Sequence, residues 1–256
     1  MLVSIEFVCT LAIPLLWVGA LILENVLGGE RPFPRIRFWF WAGLAGFITA
    51  GALSALLPPL IAPHLAWARM TDLSSLGSFG AAPTLLLTTF LTYWNHRAAH
   101  AFDIYWRFGH QLHHAVARVD ATSAVMLHPT EIALQIVFAT LAASVLGVSG
   151  EAAAIAGAAG FFLAVSQHIN IRTPHWLGYV IQRPEAHCLH HERGVHARNF
   201  GDLPIWDMAF GTFANPRHLS DVRAGFEPET GRRVLSMLLF KDVHADRMRE
   251  RETATQ

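Results

Sequence analysis

The strongest constraint in this sequence is a series of apolar stretches about as long as a bilayer is thick. A hydrocarbon core of about 30 Å takes roughly 20 helical residues to cross, and a backbone inside it must satisfy its own hydrogen bonds, which makes helices the reading for such runs. One run covers about Ile5 to Leu27, with Glu6 and Glu24 near its ends. A second covers about Phe38 to Ile61, opening on Phe38, Trp39, Phe40 and Trp41 and interrupted late by Pro58 and Pro59; aromatic residues of this kind gather at membrane interfaces. A third, about Gly80 to Trp94, is shorter in apolar terms and continues without a breaker into Asn95 to Ala101. The stretch Glu131 to His168 is too long for one span, and Gly147, Ser149 and Gly150 supply a turn, so it divides into two helices. Small residues from Ala152 to Gly160 let neighbouring helices approach closely. The segment Met1 to Asn25 lacks the basic region and small-residue cleavage site of a signal peptide and reads as a retained span.

The expected fold is therefore all-α: an integral membrane helical bundle of five crossings with a cytoplasmic helical cap. It reads as a single membrane domain over 1–256, with amino-terminal spans in 1–92, a core at 93–216 that includes two spans at 131–168, and a cytoplasmic tail at 217–256. Composition agrees. Only 15% of the chain is charged and 53% is hydrophobic, against about 25% charged in soluble domains, which makes disorder and a conventional nucleic-acid binder poor readings. The 19 basic residues balance the 19 acidic ones, yet they are distributed by side. With five crossings, Arg31, Arg35, Arg37, Arg97, Arg107, Arg118 and every basic residue after Asn170 fall on one face, and Arg69 alone falls on the other. Loops rich in arginine stay in the cytoplasm, so the carboxy-terminal region is expected there, in a multi-pass protein of the bacterial inner membrane.

Histidine, present 15 times, is the second anomaly. His96 and His100 are four apart at the cytoplasmic end of the third span, which on a helix places both rings on one face. His110, His113 and His114 form an HxxHH box, and His187, His190 and His191 repeat it. A lone histidine is ordinarily a satisfied polar side chain; eight in three helical clusters beside a membrane are another matter, because unpaired imidazoles are costly there. Imidazole is the commonest metal ligand. Cys9 and Cys188 form no CxxC pair, which argues against a thiolate zinc site. Eight ligands exceed the four to six that one ion takes, so two metals with open positions are implied. A redox iron pair at the membrane surface suits oxidation of a lipid chain that enters from the bilayer. Two rivals are an electron-transfer cytochrome, whose haem-ligating histidines should face one another within spans, and a metal transporter, whose ligands should lie near the midplane on broken helices.

The order HxxxH, HxxHH, HxxHH, with Trp106-Arg107-Phe108, His128-Pro129, His168-Ile169-Asn170, Asn199-Phe200-Gly201, Trp206-Asp207 and Phe210-Gly211-Thr212, resembles the fatty acid hydroxylase/sterol desaturase superfamily over about Tyr93 to Pro216. That resemblance implies a membrane di-iron oxygenase that uses dioxygen and external electrons to hydroxylate or desaturate a lipid (fatty acyl, sterol-like or another long chain). It implies iron ligation by His96, His100, His110, His113, His114, His187, His190 and His191, with His168 as a further ligand. Arg172 stands where some relatives carry another histidine, leaving the second ion with one nitrogen fewer, or with water or Asn170 in its place.

The remaining residues have plainer readings. His128, before Pro129 and Glu131 at a helix start, is expected to be structural or to support the ligands. Asn170, His196, Asn199 and Asp207 are further candidates for positions just behind the ligands, as are Asp202 and Glu185. His64, His175, His218 and His244 read as interfacial or solvated, and Lys241 to Gln256 as a solvated tail. No GxGxxG, CxxCH or iron–sulfur cysteine set is present, so the electrons are expected from a ferredoxin or small cytochrome with its reductase.

Overall fold

The computed structural model describes residues 4–195, 197–219, 222–227 and 233–243. Among them the architecture is all helical, with one isolated bridge between Glu192 and Ala224. Five long helices form the bundle: α1 (Ile5–Leu27), α2 (Trp39–Ile61), α3 (Ala81–Ala101), α6 (Pro129–Leu146) and α7 (Gly150–His168). Short helices α4 (Asp103–Tyr105), α5 (Gln111–His114), α8 (Pro184–His190), α9 (Pro204–Phe210) and α10 (Val234–Leu238) build the cap.

Local chemistry sets the boundaries of the long helices. Ser4 caps α1 by accepting the Phe7 N–H at 3.2 Å. The helix ends on Gly28, whose φ of 81° suits a residue without a β-carbon. The α6–α7 hairpin turns through Gly147, at φ 60°, and Ser149 caps α7 by accepting from Ala152 N–H at 3.2 Å. Pro129 opens α6 at a position where the missing N–H costs nothing.

Four described helices are long and apolar enough to cross a membrane: α1, α2 with its continuation to Ala68, α6 and α7. Large apolar side chains of α1 and α2 face outward, as with Leu15 at 71% exposure and Leu60 at 63%, which is costly in water and favourable in lipid. The chain is a membrane protein. The expected third span corresponds to α3, a helix of 21 residues that is absent from those four. Its carboxy-terminal half carries Asn95, His96, Arg97 and His100, and the helix packs against α6 and α7.

All five long helices share one vertical register. At one end, Arg31 after α1 bonds to Asn170 after α7, and Trp39 at the start of α2 donates to Asp120. At the other end, Thr71 donates to the Leu146 carbonyl closing α6 at 3.0 Å, and Ser78 before α3 donates to Glu151 in the first turn of α7. The 120–125 loop is pressed onto α2, where a β-carbon at Gly46 would lie 2.1 Å from the Val125 carbonyl oxygen. Trp17 of α1 fixes the same loop from the other side, donating from Nε1 to the Ala121 carbonyl at 2.9 Å. The ends of α3 and α7 and the start of α6 are thereby gathered at one end of the bundle, and the cap closes over them. Arg183, 1% exposed, ties the cap together by donating to Thr173, Asn215 and Pro216 and pairing with Glu185 at 3.0 Å.

Candidate metal centre

Nine histidines from four segments converge at that end of the bundle and sort into two groups. His96, His100, His110, His114 and His190 form one, His113, His168, His187 and His191 the other; within each, one nitrogen per ring lies within 4.8 Å of all the rest. Either group could hold a metal ion. The two sit side by side: the ring of His114 stacks on that of His191, centroids 4.4 Å apart.

The helix repeat explains the sorting. Residues four apart share a face, so His96 and His100 of α3 meet, as do His110 and His114, and His187 and His191. The middle histidine of each HxxHH box turns to the other group. His113 leaves its box for the four-histidine cluster, and His190 leaves its own for the five-histidine cluster. The identical spacing therefore serves opposite clusters in its two occurrences. His168, the last residue of α7, completes the smaller one.

The nitrogens present the lone pairs that a cation needs. His96 Nδ1 lies 2.7 Å from the Phe200 carbonyl, His168 Nδ1 2.7 Å from Ala164, and His190 Nδ1 2.7 Å from Arg198. A carbonyl oxygen can only accept, so in each ring Nδ1 carries the proton and Nε2 is bare. His168 Nε2 then faces His113 Nε2 at 3.3 Å and His187 Nε2 at 3.0 Å, and His191 Nε2 lies 3.1 Å from His187 Nε2. In the larger cluster His100 and His110 approach at 3.0 Å and His114 and His190 at 3.1 Å through the same atoms. His96 Nε2 is buried with no hydrogen-bond partner among the described residues. Rings with one proton each cannot satisfy this many converging nitrogens by themselves, whereas a metal ion accepts all of them. Burial, reinforced by the neighbouring imidazoles, holds His113, His114, His187 and His191 well below the usual histidine range, which keeps them neutral and able to ligate.

The other residues singled out in the sequence have distinct places. Asp207 is buried and its carboxylate accepts from Phe200 N–H at 2.8 Å, Gly201 N–H at 2.9 Å and the Thr212 hydroxyl at 2.7 Å. It thus fixes the loop whose Phe200 carbonyl holds His96. Asn199, the residue before Phe200, does the same by donating to the Ala186 carbonyl and accepting from Ala214 N–H, in a left-handed conformation (φ 57°) that asparagine tolerates. Asn170 joins neither cluster: its side chain accepts from Arg31 Nε at 2.8 Å and donates to the Arg31 carbonyl at 2.9 Å. His128 also stands apart as the cap of α6, its Nδ1 accepting from Thr130 N–H at 3.2 Å and its Nε2 lying 3.3 Å from the Leu238 carbonyl. Glu185 is occupied by Thr173 and Arg183, and Asp202 accepts from Gln167 at 2.7 Å. His64 and His218 are exposed, and His175 faces the Asn215 carbonyl at 3.2 Å. His196, His244 and half of the 217–256 segment lie outside the described residues.

Sequence reasoning missed Glu131, whose Oε1 accepts from His110 Nδ1 at 2.7 Å. Its place in the first turn of α6 reads as ordinary helix-dipole compensation; the only signal was an acid one turn after a histidine in an apolar run.

A sequence model described as fatty acid hydroxylase matches residues 81–212, the segment that carries all nine histidines. The chain belongs to the fatty acid hydroxylase family. Over 159 residues it is 30% identical to the ornithine lipid hydroxylase OlsE of Rhizobium tropici, covering 60% of this chain and 47% of that one. It is 32% identical over 128 residues to an alkylglycerol monooxygenase of Danio rerio, covering 48% and 28%. A Xenopus tropicalis alkylglycerol monooxygenase is 29% identical over 136 residues, covering 51% and 29%. The chain spans less than half the length of these relatives. No solved structure matches it. The family membership agrees with the resemblance carried by the histidine boxes.

Proposed function

We propose that this protein is a membrane-bound di-iron oxygenase that hydroxylates a lipid with dioxygen and external electrons. The observation that carries the reading is the pair of adjacent, buried, all-nitrogen clusters at one end of a lipid-facing bundle, in a chain of the fatty acid hydroxylase family. His96, His100, His110, His114 and His190 hold one iron; His113, His168, His187 and His191 hold the other. Bound iron would supply dioxygen activation and oxidation of an unactivated C–H bond. The chain's own part is to hold and orient. Carbonyls of Ala164, Arg198 and Phe200 keep the Nδ1 protons in place and the Nε2 lone pairs inward. The cap over the clusters, closed by the Arg183 network, keeps bulk water from the reaction.

The balance is that of a monooxygenase: a C–H bond becomes C–OH with one oxygen atom, and the other leaves as water with two protons and two electrons. Those electrons come from a ferredoxin or small cytochrome with its reductase. The names of the relatives, an ornithine lipid hydroxylase and alkylglycerol monooxygenases, favour hydroxylation of a polar membrane lipid over desaturation. The arginine asymmetry supports a position for the clusters on the cytoplasmic face of the inner membrane.

Lipids extracted from cells with and without the protein, grown under heavy dioxygen, test the activity: a product heavier by one labelled oxygen atom is expected. Iron analysis tests the ligands. Wild type should carry two irons per chain, and His113→Ala and His190→Ala one or none; two irons retained in both variants would sink the assignment.

A further inference from the structure

One ligand-supporting contact differs in kind from the others. The Nδ1 partners of His96, His168 and His190 are neutral backbone carbonyls, whereas that of His110 is the carboxylate of Glu131 at 2.7 Å, with the two side chains only 5% and 10% exposed. Among the described residues Glu131 forms no other ion pair, and its second oxygen, Oε2, is buried without a hydrogen-bond partner. A buried carboxylate with half its acceptor capacity unused is expensive, the more so at the end of an apolar, membrane-crossing helix. A cation on the far side of the His110 ring would offset that cost, through the carboxylate–histidine–metal arrangement that orients a ligand and raises its basicity.

The backbone is shaped to allow the contact. Residues Trp106–His110 form a π-helical turn, a geometry that often marks functional sites. Within it Gly109 lies against the start of α6, where a β-carbon would sit 3.0 Å from Glu131 Cβ and 3.3 Å from His128 Cβ. Any side chain at 109 would push α6 and the His110 segment apart.

We propose that Glu131 is a positioning residue of the metal centre: it fixes His110 with Nε2 bare and makes the five-histidine cluster the one whose affinity depends on a buried negative charge. This rests on the ligand role given to His110 above. The test is a titration of metal-free, detergent-solubilised protein with cobalt(II), followed by its visible absorption. Wild type should take up two equivalents. Glu131→Gln keeps the shape and an acceptor oxygen while removing the charge; one equivalent should bind about 10- to 100-fold more weakly and the other should be unchanged. Gly109→Ala displaces Glu131 without altering it and should weaken the same equivalent. Thr140→Ala, further along α6 where its hydroxyl donates to the Ile136 carbonyl, should weaken neither. Wild-type protein that takes up no cobalt defeats the ligand reading and this proposal with it. Two equivalents with affinities unchanged in Glu131→Gln, or both weakened equally, overturn the role of Glu131 and leave the ligand reading standing.

Discussion

The two histidine clusters lie ring against ring, yet they are held by different means. The five-histidine cluster draws its rings from the end of α3 and from both HxxHH boxes, and three of those rings are anchored at Nδ1 by the Phe200 carbonyl, the Arg198 carbonyl and the Glu131 carboxylate. The four-histidine cluster takes His168 from the end of a membrane helix, anchored by its own helix at Ala164. Both clusters thus join the bundle to the cap, the larger through His96 and His100 of α3 and the smaller through His168 of α7. A metal in the first clamps the cap to α3; a metal in the second clamps it to α7.

The sharpest way to break this comparison uses neighbours in the sequence. His113 and His114 are adjacent but belong to opposite clusters. His113→Ala should remove metal from the four-histidine cluster and His114→Ala from the other. Each should leave one ion per chain and abolish lipid hydroxylation, with the two variants giving different spectra for the surviving ion. Identical spectra would show that the clusters are not separate sites.

Removing both metals comes next in size. Each site filled at a thousandfold excess over its Kd contributes about 4 kcal/mol to the folded state, so the stripped protein should unfold at a distinctly lower temperature in detergent. Acid should act in the same direction. Because burial keeps His113, His114, His187 and His191 neutral in the fold, an unfolded chain takes up protons below about pH 6.5 that the folded one refuses. Stability of the metal-free protein should therefore be flat above that pH and fall as pH drops below it. Thermal midpoints of the stripped protein between pH 8 and 5 check the sign; a rise on acidification contradicts the burial of these rings.

A smaller effect is confined to one cluster. Asp207 touches no ligand, but it accepts both N–H groups of the Phe200–Gly201 loop, and Phe200 in turn holds His96. Asp207→Asn keeps the volume and turns one acceptor into a donor facing a donor. Affinity of the five-histidine cluster should fall about 10- to 100-fold while the other cluster keeps its own. Equal loss in both would mean that Asp207 supports the cap as a whole.

Much of this was legible beforehand because the relevant periodicities are local. Apolar runs near 20 residues gave α1, α2 and the α6–α7 hairpin, and histidines three and four apart brought the boxes to light. What the one-dimensional pattern lacked was the partition. In an HxxHH box the first and last rings share a face and the middle one looks elsewhere, so which cluster receives it depends on how α5 and α8 are turned toward each other, a tertiary fact. The anchors were hidden for a second reason: Phe200, Arg198 and Ala164 serve through backbone carbonyls, which every residue possesses, and no side-chain identity announces them. α3 shows the converse limit. Its threonines, Asn95 and histidines lower its apolarity below that of the other long helices, although it occupies the same height between α6 and α7, where polar side chains face protein rather than lipid.

The smallest expected effect concerns a histidine that resembles the ligands in sequence and not in structure. His128 precedes Pro129, is 4% exposed and stands among the box histidines in chain order, yet its ring faces Thr130 N–H, the Leu238 carbonyl and Phe240, with the last centroid 4.9 Å away. Both nitrogens are occupied by the protein: one accepts at the start of α6 and the other is left to donate to a carbonyl, so no lone pair remains for a metal. His128→Ala should cost about 1 kcal/mol, the size of a lost helix cap, visible as a small drop in the thermal midpoint, with two ions per chain retained. Loss of an ion would place His128 on the metal side of the division. Retention with a lowered midpoint would show that what separates a cap from a ligand here is where Nδ1 and Nε2 find their partners, and that burial beside the boxes does not by itself make a ligand.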